Sequence, residues 1–196
     1  MFKKKKVFVK KGLLIIYDGR GKGKTTAAMG LAVRAAGMGL NVYIAQFIKG
    51  EWPSGEKFFF DALTEMRRKY KGTDKIGRLD IFIGGRGFVK ILGDKKPMAA
   101  HKIAARQTLL KARRAILSKK YDLVILDEII SAQEFKLLKV SDLLGLVRAK
   151  PSNLHLVMTG HRAPKVLISK ADLVSEVKMV KHPYYQGFLA QRGIDY

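Results

Sequence analysis

Short apolar bursts alternate with amphipathic stretches along the chain, and no fixed-period repeat or low-complexity linker interrupts the alternation. Leu13 to Tyr17 reads as a strand buried on both faces, because each of its positions is apolar or aromatic and a turn signal follows directly. The loop Asp18 to Gly23 leads into a helix from Lys24 to Met38, stopped by Gly37 and Gly39. Asn41 to Ile48 is a second strand. After the loop Lys49 to Gly55, Glu56 to Lys71 predicts a helix with Phe58, Phe59, Leu63 and Met66 facing inward. Leu79 to Ile83 is a short third strand. A glycine-rich loop, Gly84 to Gly93, runs past Lys95 and Lys96 to a long helix opened by Pro97 and ending at Lys119. Tyr121 to Asp127 is a fourth strand, Asp142 to Ala149 a short helix and Leu154 to Thr159 a fifth strand. Pro164 to Lys170 is helical, and Leu173 to Val180 is a sixth strand or extended edge.

Near-continuous apolar strands separated by helices predict an α/β fold in three layers, with a mostly parallel central sheet flanked by helices. Such sheets bind ligands at the carboxyl ends of their strands. The loops that begin at Asp18, Lys49, Gly84, Glu128 and Gly160 are therefore the places to look for chemistry.

Composition narrows the field. The 196 residues are 47% hydrophobic, enough for one domain with its own core. The division expected is a basic amino-terminal arm over 1–11 and a single domain over 12–196. With no cysteine, disulfides, thiolate metal sites, iron–sulfur clusters and a cysteine nucleophile are all excluded. The longest apolar run falls far short of the roughly 20 residues of a membrane span, and the basic start lacks a signal peptide's apolar region. A cytoplasmic location and no membrane partner are the expectation. The net charge of +23 attracts polyanions: nucleic acid, nucleotides, acidic metabolites or an acidic protein. Charge alone does not choose among them.

The run Gly19-Arg20-Gly21-Lys22-Gly23-Lys24-Thr25-Thr26 does choose, because it follows a buried strand and opens a helix. Its glycines let successive N–H groups converge on one anion, and the helix start adds its positive end. Lys24 supplies a point charge, and the Thr25 hydroxyl is placed to ligate Mg²⁺. All eight residues are candidates for binding ATP. Asp18 stands where the strict phosphate-loop spacing has glycine. Downstream, Leu123 to Leu126 run apolar into Asp127 and Glu128, two carboxylates at a strand's carboxyl end. Asp127 reads as the metal-shell residue. Glu128 has two readings, a general base for water in a hydrolase or a metal and substrate ligand in a transferase. Lys24 and Glu128 are the catalytic candidates, and Thr25, Asp127 and Glu128 the metal candidates. The fold expected is a recombinase-like P-loop NTPase fold. His101, His155, His161 and His182 show no metal-ligand spacing and read as surface or structural residues.

Taken together, several segments resemble the P-loop ATP:corrinoid adenosyltransferases of cobalamin synthesis and salvage. They are Gly19 to Ala28, Gln46 to Glu56, Leu126-Asp127-Glu128, Thr159-Gly160 with Arg162, and the ending from Val180 through Gln191-Arg192-Gly193-Ile194-Asp195-Tyr196. The resemblance implies transfer of the 5′-deoxyadenosyl group of ATP to the Co(I) centre of a corrinoid, cobalamin or cobyrinic acid a,c-diamide, with release of triphosphate. Reduced cobalt is itself the nucleophile in that chemistry, so no serine, cysteine or histidine needs activation. The resemblance further implies that Phe88, in Gly87-Phe88-Val89-Lys90, walls off the lower face of the corrin. Lys90 stands where a second aromatic is expected, which favours incomplete corrinoids over complete cobalamin. Trp52 and Pro53 belong to the nucleotide or corrin rim, and Arg162 to the phosphate or corrinoid amides. Partners implied are ATP, the corrinoid, a flavin-dependent reductase or flavodoxin as electron donor, and a second copy in a homodimer. In relatives the amino-terminal segment can cover the active site. The rival from another class is a recombinase- or helicase-like ATPase that binds nucleic acid. Against it, the chain shows no zinc finger or RNP-like aromatic motif and has little room for a nucleic-acid domain; no specific nucleic-acid partner is expected.

Overall fold

A computed structural model of the chain describes residues 11–50, 54–70, 75–87, 89 and 94–195. In chain order the elements are β1 (Leu14–Asp18), α1 (Lys24–Gly37), β2 (Val42–Gln46), α2 (Gly55–Lys69), β3 (Leu79–Ile83), α3 (Met98–Leu117) and β4 (Leu123–Asp127). There follow α4 (Ile129–Glu134), α5 (Val140–Ala149), β5 (His155–Thr159), α6 (Lys165–Ile168), β6 (Leu173–Glu176) and a 3-10 helix at Pro183–Gln186. The strands form one six-stranded sheet in the order β3-β2-β4-β5-β1-β6, and every pairing is parallel.

The apolar strands are continuous because both faces are covered. Leu14, Ile16, Val124, Leu126, Leu156 and Met158 face a layer containing Ala105, Ala112 and Ile116 of α3 and Leu143 and Leu146 of α5. The alternate positions Ile15, Ile44, Leu123, Ile125 and Val157 face α1. On α1, Ala28, Ala32, Ala35 and Ala36 form a buried stripe whose small side chains let the helix lie close to the strands. Three layers result, as the apolar pattern predicts. Among the described residues no helix is long and apolar enough to cross a membrane.

Three local expectations are corrected. On α2, Phe58, Phe59 and Met66 are exposed at 68%, 56% and 49%, whereas Phe60 is buried and Leu63 partly so. Successive helical residues turn by about 100°, so three consecutive phenylalanines cannot share one face; Phe60 and Leu63, three apart, make the inward stripe. The helix α4 follows directly on β4, with Ile129, Ile130, Ser131 and Ala132 buried, where no element is predicted. Finally, β6 stops at Glu176 with all four residues exposed; Val177 still donates its N–H to Asp18 O at 2.8 Å, and with Lys178 it lies against the glycine loop.

Candidate functional site

The glycine loop is shaped by what lies behind it. Gly21 N–H donates to Val177 O at 2.8 Å. A Cβ at Gly21 would fall 2.7 Å from the Lys178 carbonyl, and one at Gly19 2.5 Å from Val177 O. The segment after β6 can therefore press on the loop only where side chains are absent. Lys24, the first residue of α1, is buried and curls back so that its Nζ donates to Gly21 O at 2.8 Å. Burial lowers its pKa, while Glu128, Asp127 and Asp18 act in the opposite direction. Those three carboxylates stand at or just past the carboxyl ends of β1 and β4, so Lys24 lies where the loop and the β4 end converge. Arg20, Lys22 and Thr26 are exposed, and Lys22 is ion-paired with Asp195 of the carboxyl-terminal segment.

Strand register builds the second half of the site. Gln46 is paired with Asp127 across β2 and β4, and Tyr17 with Thr159 across β1 and β5. Asp127 is fully buried in this row. Its Oδ1 accepts from Thr25 Oγ1 at 2.9 Å and Thr159 Oγ1 at 2.8 Å, and its Oδ2 accepts from Gln46 Nε2 at 3.0 Å. Burial, with neighbouring Glu128, pushes its pKa up to about 6 against the pull of these donors. Glu128 takes the left-handed conformation, φ 59°, at the junction from strand to α4. Its N–H donates to Thr159 Oγ1 at 2.8 Å, so Thr159 holds both carboxylate residues in place.

The same donors are suited to Mg²⁺. Thr25 and Asp127 bring two hard oxygens together, and Glu128 stands beside them. Among the described residues no cluster of three or more His, Cys, Asp or Glu forms a closed metal cage. Mg²⁺ is commonly held this way, by one or two protein oxygens with phosphate and water completing the shell. The buried Gln46 Oε1 has no hydrogen-bond partner, so this corner has spare acceptor capacity.

The loop after β5 is tied to both halves. Gly160 sits at φ 148°, and a Cβ there would lie 2.5 Å from Ser131 N. His161 N–H donates to Ser131 Oγ at 3.1 Å, and Ala163 N–H donates to Asp18 Oδ1 at 3.1 Å. Asp18, the departure from the strict glycine spacing, thus clamps the two loops together. Arg162 is exposed and pairs with Glu134 at 3.1 Å, while His161 Nδ1 lies 3.9 Å from the same carboxylate. Burial lowers the His161 pKa, followed by the charge of Lys24, with Glu134 and Asp18 opposing. His161, which reads in sequence as an ordinary surface or structural histidine, stands beside the phosphate loop. Thr159, Gln46 and Glu134 also belong to this constellation. Of the other histidines, His101 is buried and bonded to Asp94 at 3.0 Å.

After β2, Lys49 Nζ lies 3.3 Å from both Ser54 Oγ and Glu56 Oε2, and Ser54 Oγ donates to Glu56 at 2.9 Å. Burial pushes the Glu56 carboxyl up, but its own backbone N–H, Lys49 and Ser54 together hold it below its ordinary value. Gly87 N–H donates to Ile48 O at 3.0 Å, stitching the loops after β2 and β3 together. Trp52, Phe88 and Lys90 lie outside the described residues, as do residues 1–10 of the basic arm.

A parallel three-layer sheet with this loop and this strand end defines a protein of the P-loop NTPase fold class. Consistent with that fold, the flagellar accessory protein FlaH from Methanocaldococcus jannaschii superposes with a TM-score of 0.51 over 85% of this chain and 71% of its own, at 14% identity. The chain belongs to the family of ATP:corrinoid adenosyltransferases BtuR/CobO/CobP, whose model matches residues 10–196. It is 32% identical over 186 residues to the corrinoid adenosyltransferase CobA of Salmonella typhimurium, covering 95% of this chain and 86% of that one. The corrinoid adenosyltransferase of Escherichia coli K12 is 31% identical over the same shares. That of Pseudomonas aeruginosa is 32% identical over 191 residues, or 95% and 84% of the two chains.

Proposed function

We propose that the chain transfers the 5′-deoxyadenosyl group of ATP to the Co(I) centre of a corrinoid, serving adenosylcobalamin synthesis or salvage. The observation that carries this reading is the family match over residues 10–196, joined to the convergence of Lys24, Thr25, Asp127 and Glu128 on one point of the carboxyl edge. Co(I) of the substrate donates an electron pair to C5′, the cobalt–carbon bond forms, the C5′–O bond breaks, and triphosphate leaves with the bonding pair. No water is activated, so Glu128 acts as a ligand and positioning group rather than as a general base.

The chain's own residues then have two tasks. Gly19 to Thr26 bind the triphosphate through loop amides and Lys24, and the charge gathering on the leaving group is stabilised by donors already in place. When bound through Thr25, Asp127 and Glu128, Mg²⁺ supplies positive charge to the phosphate oxygens. Buried Lys24 exchanges its bond to Gly21 O for the phosphates. Phe88, Trp52 and Arg162 serve the corrinoid, Phe88 by excluding an axial ligand from the lower face. The electron that makes Co(I) comes from a flavin-dependent reductase or flavodoxin, and the working enzyme is a cytoplasmic homodimer.

The test is anaerobic incubation of the protein with ATP, Mg²⁺ and a chemically reduced corrinoid. The reading expects the absorbance of a light-sensitive cobalt–carbon bond. Its absence, with ADP forming instead, would contradict the reading.

A further inference from the structure

The outward face of α3 carries a pattern that the nucleotide site does not use. Toward the sheet the helix buries His101, Ala104, Ala105, Thr108, Ala112 and Ile116. On the opposite face Ile103, Leu110 and Leu117 are exposed at 59%, 56% and 49%. Seven residues bring an α-helix back to within about 20° of the starting direction. The three side chains therefore form one aliphatic ridge along a helix of 20 residues, roughly 30 Å long. At about 100° per residue, that ridge points away from the buried stripe.

Cations occupy both shoulders of the ridge. By the same helical arithmetic Arg106 and Arg113 fall on one side of it and Arg114 and Lys111 on the other, and all four are exposed. From Lys95 to Lys120 the chain has nine Lys and Arg and no Asp or Glu. Arg106 is paired with Asp142 at 2.7 Å, and Lys111 Nζ lies 3.7 Å from the centre of the Phe82 ring. Lys102, Arg113 and Arg114 make no ion pair among the described residues. The face thus has apolar side chains at its centre and uncompensated positive charge at its margins.

That combination selects among anionic partners. The phosphates of a nucleic acid would use the cations and leave the aliphatic ridge in water. A second copy of this +23 chain would bring like charge to the same face. A bilayer containing anionic lipid uses both parts: aliphatic side chains enter the interface, while the stems of Lys and Arg run along it and place their charges among the head groups. We propose that the outward face of α3 docks the protein on an anionic membrane surface. Ile103, Leu110 and Leu117 enter the lipid, and Lys102, Arg113 and Arg114 meet its phosphates. A protein lying on a membrane needs no spanning helix. Docking of this kind departs from the expectation of no membrane partner, which rests on the shortness of the apolar runs, and it does not depend on what the phosphate loop binds.

The test is cosedimentation of the full chain with vesicles of phosphatidylcholine alone and of equal parts phosphatidylcholine and phosphatidylglycerol. Wild type should bind the anionic vesicles and stay in solution with the neutral ones. The variant Ile103→Ser/Leu110→Ser/Leu117→Ser keeps every charge and should lose at least about tenfold in partition coefficient, since apolar burial scales with area. Arg113→Gln/Arg114→Gln should lose roughly fivefold per cation. Arg34→Gln/Lys69→Gln removes the same charge from exposed positions on α1 and α2, across the sheet, and should stay within about twofold of wild type. Denaturation midpoints check that each variant folds. The emission of Leu110→Trp, taken as the difference from wild type, should shift to the blue on anionic vesicles alone. Equal binding by wild type and the serine variant, or equal losses in the two glutamine variants, would mean adsorption by net charge and overturn the docking face. A particle mass in light scattering that differs between wild type and the serine variant without vesicles would overturn it too, assigning the ridge to a second copy. Binding of duplex RNA that exceeds vesicle binding at the same salt and survives the serine substitutions would give the face to nucleic acid instead.

Discussion

At the β1–β5–β4 end of the carboxyl edge the functional groups are buried and bonded to one another. Lys24, Asp127, Gln46 and Thr159 are all at most 5% exposed, and Asp127 alone gathers three side-chain donors. At the β3–α3 end the charged side chains are exposed: Arg86 and Lys96 stand at the surface beside Ala100, Ile103 and Ala104 of α3. On the function proposed above, the buried end suits a triphosphate. A triphosphate is small and highly charged, so it is best met by donors fixed in a low-dielectric site, where they act strongly and need no reorganisation. A corrinoid is broad and carries its polar groups on its rim, so on the same function it calls for side chains spread over a surface.

The largest expected effect falls at the buried end. Lys24→Ala should lower kcat by at least about a hundredfold, since one well-placed donor is worth that much in such a site. Single-turnover rates with preformed Co(I) check this. Activity within about tenfold of wild type, a barrier change near 1.4 kcal/mol, would take the loop out of the mechanism.

Asp127 should show the cost of building a site by burial. Its folded pKa, about 6, lies above the ordinary carboxylate value, so its contribution to stability is fully present at low pH and is lost as pH rises through 6. Above that, holding the charge costs up to about 3 kcal/mol relative to a group titrating near 3.9. Asp127→Asn should therefore stabilise the ligand-free protein at pH 8 in denaturant titrations, with the gap narrowing toward pH 5. Gln46 favours the exchange, because its unpaired Oε1 can accept from the new amide. A variant less stable than wild type at pH 8 would mean the carboxylate is better solvated than its burial implies.

Gly160→Ala tests the clamp between the two halves of the nucleotide site. At φ 148° with Ser131 N 2.5 Å from a new Cβ, it should cost roughly 2 kcal/mol and weaken ATP binding measured by calorimetry. Unchanged stability and affinity would show that the loop has room to relax. The smallest effect belongs to the surface. Asp195→Asn removes the partner of half-exposed Lys22 and should change stability by under about 1 kcal/mol, less at high salt. A large loss would place the carboxyl-terminal segment among the determinants of the loop.

The contrast between the two ends also governs what the sequence reveals. The glycine loop and the Asp127-Glu128 strand end are legible as candidates because a phosphate site would need consecutive residues in fixed conformations. The sheet is legible because both of its faces are covered and its strands are apolar throughout. Other features are settled by tertiary contact. The rotation of α2 that buries Phe60 instead of Phe58 depends on the sheet edge it meets. The helix α4 is too short for a periodicity to register, though an unbroken apolar start after Glu128 is a signal. His161, Gln46 and Thr159 enter the site through register across β1, β5, β4 and β2, and no local spacing encodes which strands are neighbours. The bond from Lys96 Nζ to Arg86 O links residues ten apart, and in sequence that lysine is one among many.

The central claim is that the bond broken is C5′–O and not a phosphoanhydride, and the products decide it. With ATP, Mg²⁺ and a Co(I) corrinoid, triphosphate and adenosylated corrinoid should appear in equal amounts, with no ADP above background and no stimulation by DNA or RNA. Weak, salt-sensitive nucleic-acid binding from the +23 charge would not bear on the matter, because counterion release drives it for any basic surface. ADP and phosphate formed in step with added DNA, without corrinoid-dependent triphosphate, would contradict the account and favour a nucleic-acid-stimulated ATPase.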